Sequence, residues 1–160
     1  ASKGIPAWRA AEMPSLLIVA GLAEGTGLVA ILGTLAPAII RPGMLLGAAG
    51  MVLAMMGAYR WHEYASNAPA AGGIEREARA VLERLTPWYL VLGCGAPFAL
   101  YGAALMMDQS WLQASAGALA IVGGILWKGA VILRAGYFQG FSLPKLPQRG
   151  SGRYAAPVRV

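Results

Sequence analysis

Four apolar runs, each about the length needed to cross a bilayer, leave this 160-residue chain few ways to fold. A hydrocarbon core about 30 Å thick asks for about 20 apolar residues in a helix. The runs cover residues 14–35, 43–60, 87–107 and 111–133. The second is slightly short, and Ile39 and Ile40, or the aromatics Tyr59 and Trp61, extend it into the interface. In lipid every backbone group must be satisfied internally, so the choice is between helices and a closed barrel. No strand-like alternation is present, and a barrel needs many more segments. The sequence predicts an all-α membrane protein, a bundle of about four transmembrane helices over residues 1–135.

Composition agrees. Only 12% of residues are charged and 58% are hydrophobic, with mean hydropathy +0.57. A soluble domain carries about 25% charged residues, so soluble and disordered chains are both excluded. The net charge of +6 is not a nucleic-acid signature, because the cations sit between apolar runs instead of forming one basic patch. Cys94 stands alone, so an intrachain disulfide is impossible. No Cys or Cys/His spacing suits an iron–sulfur cluster or zinc. The opening, Ala1 to Met13, lacks the apolar core and cleavage site of a signal peptide.

The polar stretch between the second and third runs has two parts. Ala65 to Gly73 is expected to be a flexible linker. Ile74 to Leu85 is expected to be an amphipathic helix, either lying against the membrane or a partner or serving as a solvated connector. Ile74, Ala78, Val81, Leu82 and Leu85 recur at helical spacing, and Glu75–Arg79 and Arg79–Glu83 are opposite charges four residues apart. After Arg134 the chain turns polar, basic and Pro-rich. Residues 136–160 are expected to form an extended tail.

Cation placement predicts topology. Twelve of the 13 Lys and Arg precede the first run, lie in the central loop, or lie at or beyond the end of the fourth run; only Arg41 falls on the other side. The positive-inside rule places both termini and the central loop in the cytoplasm. Small residues at Gly21-x-x-x-Gly25 and Gly43-x-x-x-Gly47 are candidate points of close helix contact.

Glu24 is the sharpest single residue. It falls near mid-membrane, where an ionised, lipid-exposed carboxylate costs several kcal/mol. It must face the bundle, bind a partner or be protonated, which makes it a candidate for a proton relay, for a polar contact to a small ligand such as a quinone, or for a protonated carboxyl that hydrogen-bonds a neighbouring helix. Lys128 and Arg134 lie near the charged end of the fourth run. Both are expected either to snorkel to the interface or to contact a quinone carbonyl or an anionic lipid. His62, the single histidine, cannot by itself supply two axial haem ligands, and stands as an interface residue or as a proton donor beside a quinone. No phosphate loop, nucleophile elbow or metal-ligand pair is present, so the chain shows no active site of its own.

The segment from Leu126 to Gly150 carries the core Arg134-Ala135-Gly136-Tyr137-Phe138-Gln139-Gly140-Phe141-Ser142-Leu143-Pro144. It resembles the end of the membrane-anchor subunits of dimethyl-sulfoxide-reductase-type molybdoenzymes, most closely the anchors associated with phenylacetyl-CoA:acceptor oxidoreductase. The opening Gly4-Ile5-Pro6-Ala7-Trp8-Arg9 and Gly21-Leu22-Ala23-Glu24-Gly25 are similar to the middle of such anchors. Those anchors have about eight spans, so the resemblance implies a C-terminal half. It also implies a bacterial or archaeal cytoplasmic membrane and a quinone, menaquinone or ubiquinone, as the only cofactor of the chain. An iron–sulfur electron-transfer subunit and a molybdopterin or tungstopterin catalytic subunit are implied as partners. On this resemblance the tail drapes over a soluble subunit, with Tyr137, Phe138, Gln139, Phe141, Pro144, Lys145 and Arg149 as docking residues. A proton-coupled four-helix transporter using Glu24, and a purely structural anchor without quinone, are the competing expectations. A recess closed by side chains near Glu24 would favour the structural anchor.

Overall fold

A computed structural model describes residues 10–39, 43–70 and 76–135, with side chains described except at 67–70, 76–79, 134 and 135. Its elements are α1 (Met13–Leu35), α2 (Met44–Ala70), α3 (Arg76–Trp88), a first π-helical segment (Tyr89–Gly95), α4 (Ala96–Met107), α5 (Ser110–Gly129) and a second π-helical segment (Ala130–Ala135). Among the described residues helix is the only regular secondary structure. Four stretches, Met13–Leu35, Met44–Ser66, Ala80–Met107 and Ser110–Leu133, are long and apolar enough to cross a membrane. This is the all-α membrane bundle that the apolar runs predict.

Large apolar side chains such as Ile18, Leu22, Met55, Val91, Ile125 and Leu133 point outward. Lipid is as apolar as they are, so cohesion must come from close packing inside. α5 is the central element and packs on α1 and α4, while α2 packs on α1 and α4. The closest approaches use glycine. A Cβ on Gly27 of α1 would stand 2.7 Å from the Gly117 carbonyl oxygen on α5, and a Cβ on Gly123 would stand 2.5 Å from Gly93 Cα. The expected motifs do not make these crossings. Gly21, Gly25 and Gly43 face open space, and only Gly47 packs, against Leu105 and Gln113. The i, i+4 spacing of Gly21 and Gly25 lies on a face that looks outward, while the second pair contributes a contact through Gly47 alone.

Two connections differ from expectation. Residues 65–70 continue α2 as helix where a linker was expected. Trp61 and Tyr64 are both fully buried, and packing of these two large rings at i, i+3 carries the helix past the apolar run. Of the amphipathic segment, residues 76–85 are described and helical, but they run without a break through Pro87 into the third span instead of lying as a separate surface helix; Ile74 and Glu75 lie outside the described residues. Leu82 is buried among Trp61, Tyr89, Trp127 and Val131, which fastens α3 to the bundle.

Proline explains the first π segment. Pro97 has no N–H, and its ring would press on the carbonyl four residues back. The preceding turn widens, with the Ala96 N–H reaching the Val91 carbonyl five residues back. At the opposite end of the bundle, Asp108 closes the α4–α5 turn in the left-handed region at φ 50°. Thr34 Oγ1 donates to the Ser110 carbonyl there, at 3.3 Å.

The packing also settles which ends lie together. Met13 and Leu16 from the start of α1, Trp61 and Tyr64 from the end of α2, Leu82 of α3, and Trp127 and Val131 near the end of the last helix form one cluster. The segments flanking the cation-rich stretches therefore share one end of the bundle. The Thr34–Ser110 contact marks the other.

Candidate functional site

Glu24 lies 11 residues into α1, about 16 Å along a helix of about 34 Å. Lys128 lies near the end of α5. Helical side chains lean toward their own N-terminus, so the Lys128 stem runs back into the bundle and not out to the interface. Its Nζ donates to both carboxylate oxygens of Glu24, each at 2.7 Å. The two side chains are 24% and 28% exposed, Glu24 and Lys128 respectively. This pairing answers how a carboxylate survives at mid-depth, since the ammonium neutralises it in place. It also replaces the expectation that Lys128 snorkels. The Glu24 side chain lies over Gly124, where any Cβ would collide with its carboxylate.

Next to the pair is a small, largely enclosed cavity of about 20 Å³. Its walls are mostly small residues, among them Ala20, Ala23, Gly50, Ala54, Gly57, Gly93, Ala120 and Gly124. Its polar wall is Glu24, Tyr89, Cys94 and Tyr101. The Tyr89 hydroxyl and the Cys94 thiol interact with one another. Tyr101 is 1% exposed, and its hydroxyl has no hydrogen-bond partner among the described residues. A space of this size holds about one water and no quinone ring.

Below it, at the charged end, four aromatic rings pack together. Trp61 lies 4.8 Å from Tyr89, 5.8 Å from Tyr64 and 6.1 Å from Trp127 between ring centroids, in tilted and edge-on arrangements. Trp61 Nε1 donates to Thr86 Oγ1 at 3.1 Å, and Thr86 Oγ1 donates to the Leu82 carbonyl at 2.8 Å. The indole and the hydroxyl thus join α2 to α3. Trp61, expected at the interface, is instead buried core, as is Trp127.

A second recess opens to the outside. It is a groove of about 600 Å³ between α3 and the end of the last helix, lined by Val81, Arg84, Leu85, Trp88, Ile125, Leu126, Gly129, Ala130 and Leu133. Gly129 has open space where a side chain would be, which deepens the floor. Arg84 and Trp88, one helical turn apart, are both exposed on its rim.

Of the residues singled out by sequence, the structure unites Glu24 and Lys128. His62 is exposed on the outer face of α2, apart from the enclosed cavity. Arg134 lies in the second π segment with its side chain outside the described residues. Tyr137, Phe138, Gln139, Phe141, Pro144, Lys145 and Arg149 also lie outside the described residues. Sequence reasoning missed Tyr101 and Arg84. Tyr101 carried a signal, a lone phenol in the middle of an apolar run; Arg84 looked like one more cation in a polar loop.

No protein-family model, no curated protein and no solved structure matches this chain.

Proposed function

We propose that this chain is the membrane-anchor subunit of a multisubunit iron–sulfur molybdoenzyme or tungstoenzyme, binding quinone and exchanging electrons with an iron–sulfur subunit at its basic end. The observation that carries this reading is the contrast between the two recesses. The interior beside Glu24 is closed and Glu24 is already paired with Lys128, which argues against a transport path coupled to that carboxylate. The groove of about 600 Å³ is open and lined mostly by apolar side chains, which suits a ring on an isoprenoid tail. In this reading the groove takes the quinone ring, with Arg84 near a carbonyl oxygen and Trp88 against the ring face. Glu24 and Lys128 hold the bundle together behind it. The cation bias supports a cytoplasmic charged end, and the resemblance implies a bacterial or archaeal inner membrane. Residues 136–160, which follow the groove residue Leu133 in the chain, are the proposed dock for the soluble subunits.

A purely structural anchor is the second reading, and the closed cavity at Glu24 is the observation in its favour. Native purification under mild detergent tests both. The quinone reading expects co-purifying iron–sulfur and molybdenum or tungsten subunits. It also expects quinone analogues to inhibit, and Arg84→Gln to lower quinone turnover about tenfold while dye-linked turnover is unchanged. Partners present but analogues without effect would make the chain a structural anchor. A chain that is stable alone, with no partner, would remove both.

A further inference from the structure

We infer that the enclosed cavity between α1, α2, α4 and α5 is an internal water site, with the Tyr101 hydroxyl as its principal contact. This stands independently of the anchor reading. A buried hydroxyl without a partner costs the full desolvation of that group, and natural structures carry few of them. Tyr101 is 1% exposed, lines the cavity and has no hydrogen-bond partner among the described residues. The cavity, about 20 Å³, exceeds the space of roughly 10–15 Å³ that one water needs.

A buried water is held by two to four polar partners. The same walls supply them: the Glu24 carboxylate, the Tyr89 hydroxyl and the Cys94 thiol. Gly57 stands opposite the last two, since a Cβ there would meet Tyr89 Oη at 3.5 Å and Cys94 Sγ at 3.6 Å. The helix turn below Pro97 is one N–H short because proline cannot donate, and Gly93 and Pro97 also line the cavity. One water there joins the phenol of α4 to the Glu24–Lys128 pair of α1 and α5. It extends a polar network across the bundle at mid-membrane depth.

The sign of one substitution decides the matter. Tyr101→Phe keeps the ring packed on Gly50 and removes only the oxygen. If the cavity is wet, the variant loses a hydrogen bond and its unfolding midpoint falls by about 2–4 °C. If it is dry, the variant sheds an unsatisfied hydroxyl, and the midpoint is unchanged or rises; either result overturns the proposal. A second measurement does not depend on the stability of a variant. Infrared difference spectra of the full-length protein in H₂¹⁶O and H₂¹⁸O should show a buried-water O–H band that shifts with isotope and is lost in Gly57→Ala, whose methyl fills the site. No isotope-sensitive buried band in the unmodified chain would also overturn it.

Discussion

The Glu24–Lys128 pair shows how much a single contact can decide in a low-dielectric setting. Neither group is tolerable alone at that depth, and each removes the cost of the other. Glu24→Gln or Lys128→Met should therefore destabilise by roughly 1–3 kcal/mol, less than a fully buried pair because both side chains remain partly exposed. The double variant should recover most of that loss. Thermal unfolding of all four proteins in detergent forms a double-mutant cycle. Additive losses would mean that the two groups do not depend on each other. Sequence alone flagged both residues, yet 104 positions separate them. Nothing in the order of residues says that Lys128 turns inward; that follows from the lean of its side chain and from the notch at Gly124.

At the scale of elements, glycine placement carries the packing. Gly27 and Gly117 meet backbone to backbone, as do Gly93 and Gly123. Gly27→Ala or Gly117→Ala must push α1 and α5 apart along their longest contact. Each should cost more than 2 kcal/mol, the scale of overpacking in a tight core. Gly21→Ala and Gly25→Ala meet nothing and should be neutral or stabilising by up to about 1 kcal/mol through helix propensity. Unfolding midpoints of the four variants test the ranking, and a reversed order would place the crossing on the other face. The Gly21-x-x-x-Gly25 pattern pointed to the wrong face, and of Gly43-x-x-x-Gly47 only Gly47 packs, because spacing gives which residues align, not where that stripe faces. The α3 segment teaches a similar lesson. Its 3.6-residue period was legible in Val81, Leu82 and Leu85. That Pro87 would be absorbed within a continuous helix was not, because the absorption depends on Leu82 and Thr86 finding Trp61.

For the whole molecule, one end gathers the start of α1, the end of α2, α3 and the end of the last helix. This geometry predicts that a cysteine placed at Ser66 and one placed at Asp108 react with an impermeant maleimide from opposite sides of sealed vesicles. Cys94 is buried and should stay silent in the unmodified chain. Labelling of both from the same side would break the four-span arrangement.

The sequence by itself determined the class and the count. Four apolar runs of helical length in a chain with few charges admit no other economical way to satisfy a backbone in lipid. It also predicted that the segments flanking the cation-rich stretches share an end, because the cations sit between alternate apolar runs. Tertiary structure decided the rest. It chose Gly27, Gly93, Gly117 and Gly123 as the crossing points, paired Glu24 with Lys128, buried Trp61 and Trp127, and left a closed cavity beside an open groove. These depend on how each helix is rotated about its axis. In a chain this apolar, with no water inside the membrane to sort one face from another, hydropathy carries little of that information, and shape complementarity supplies it.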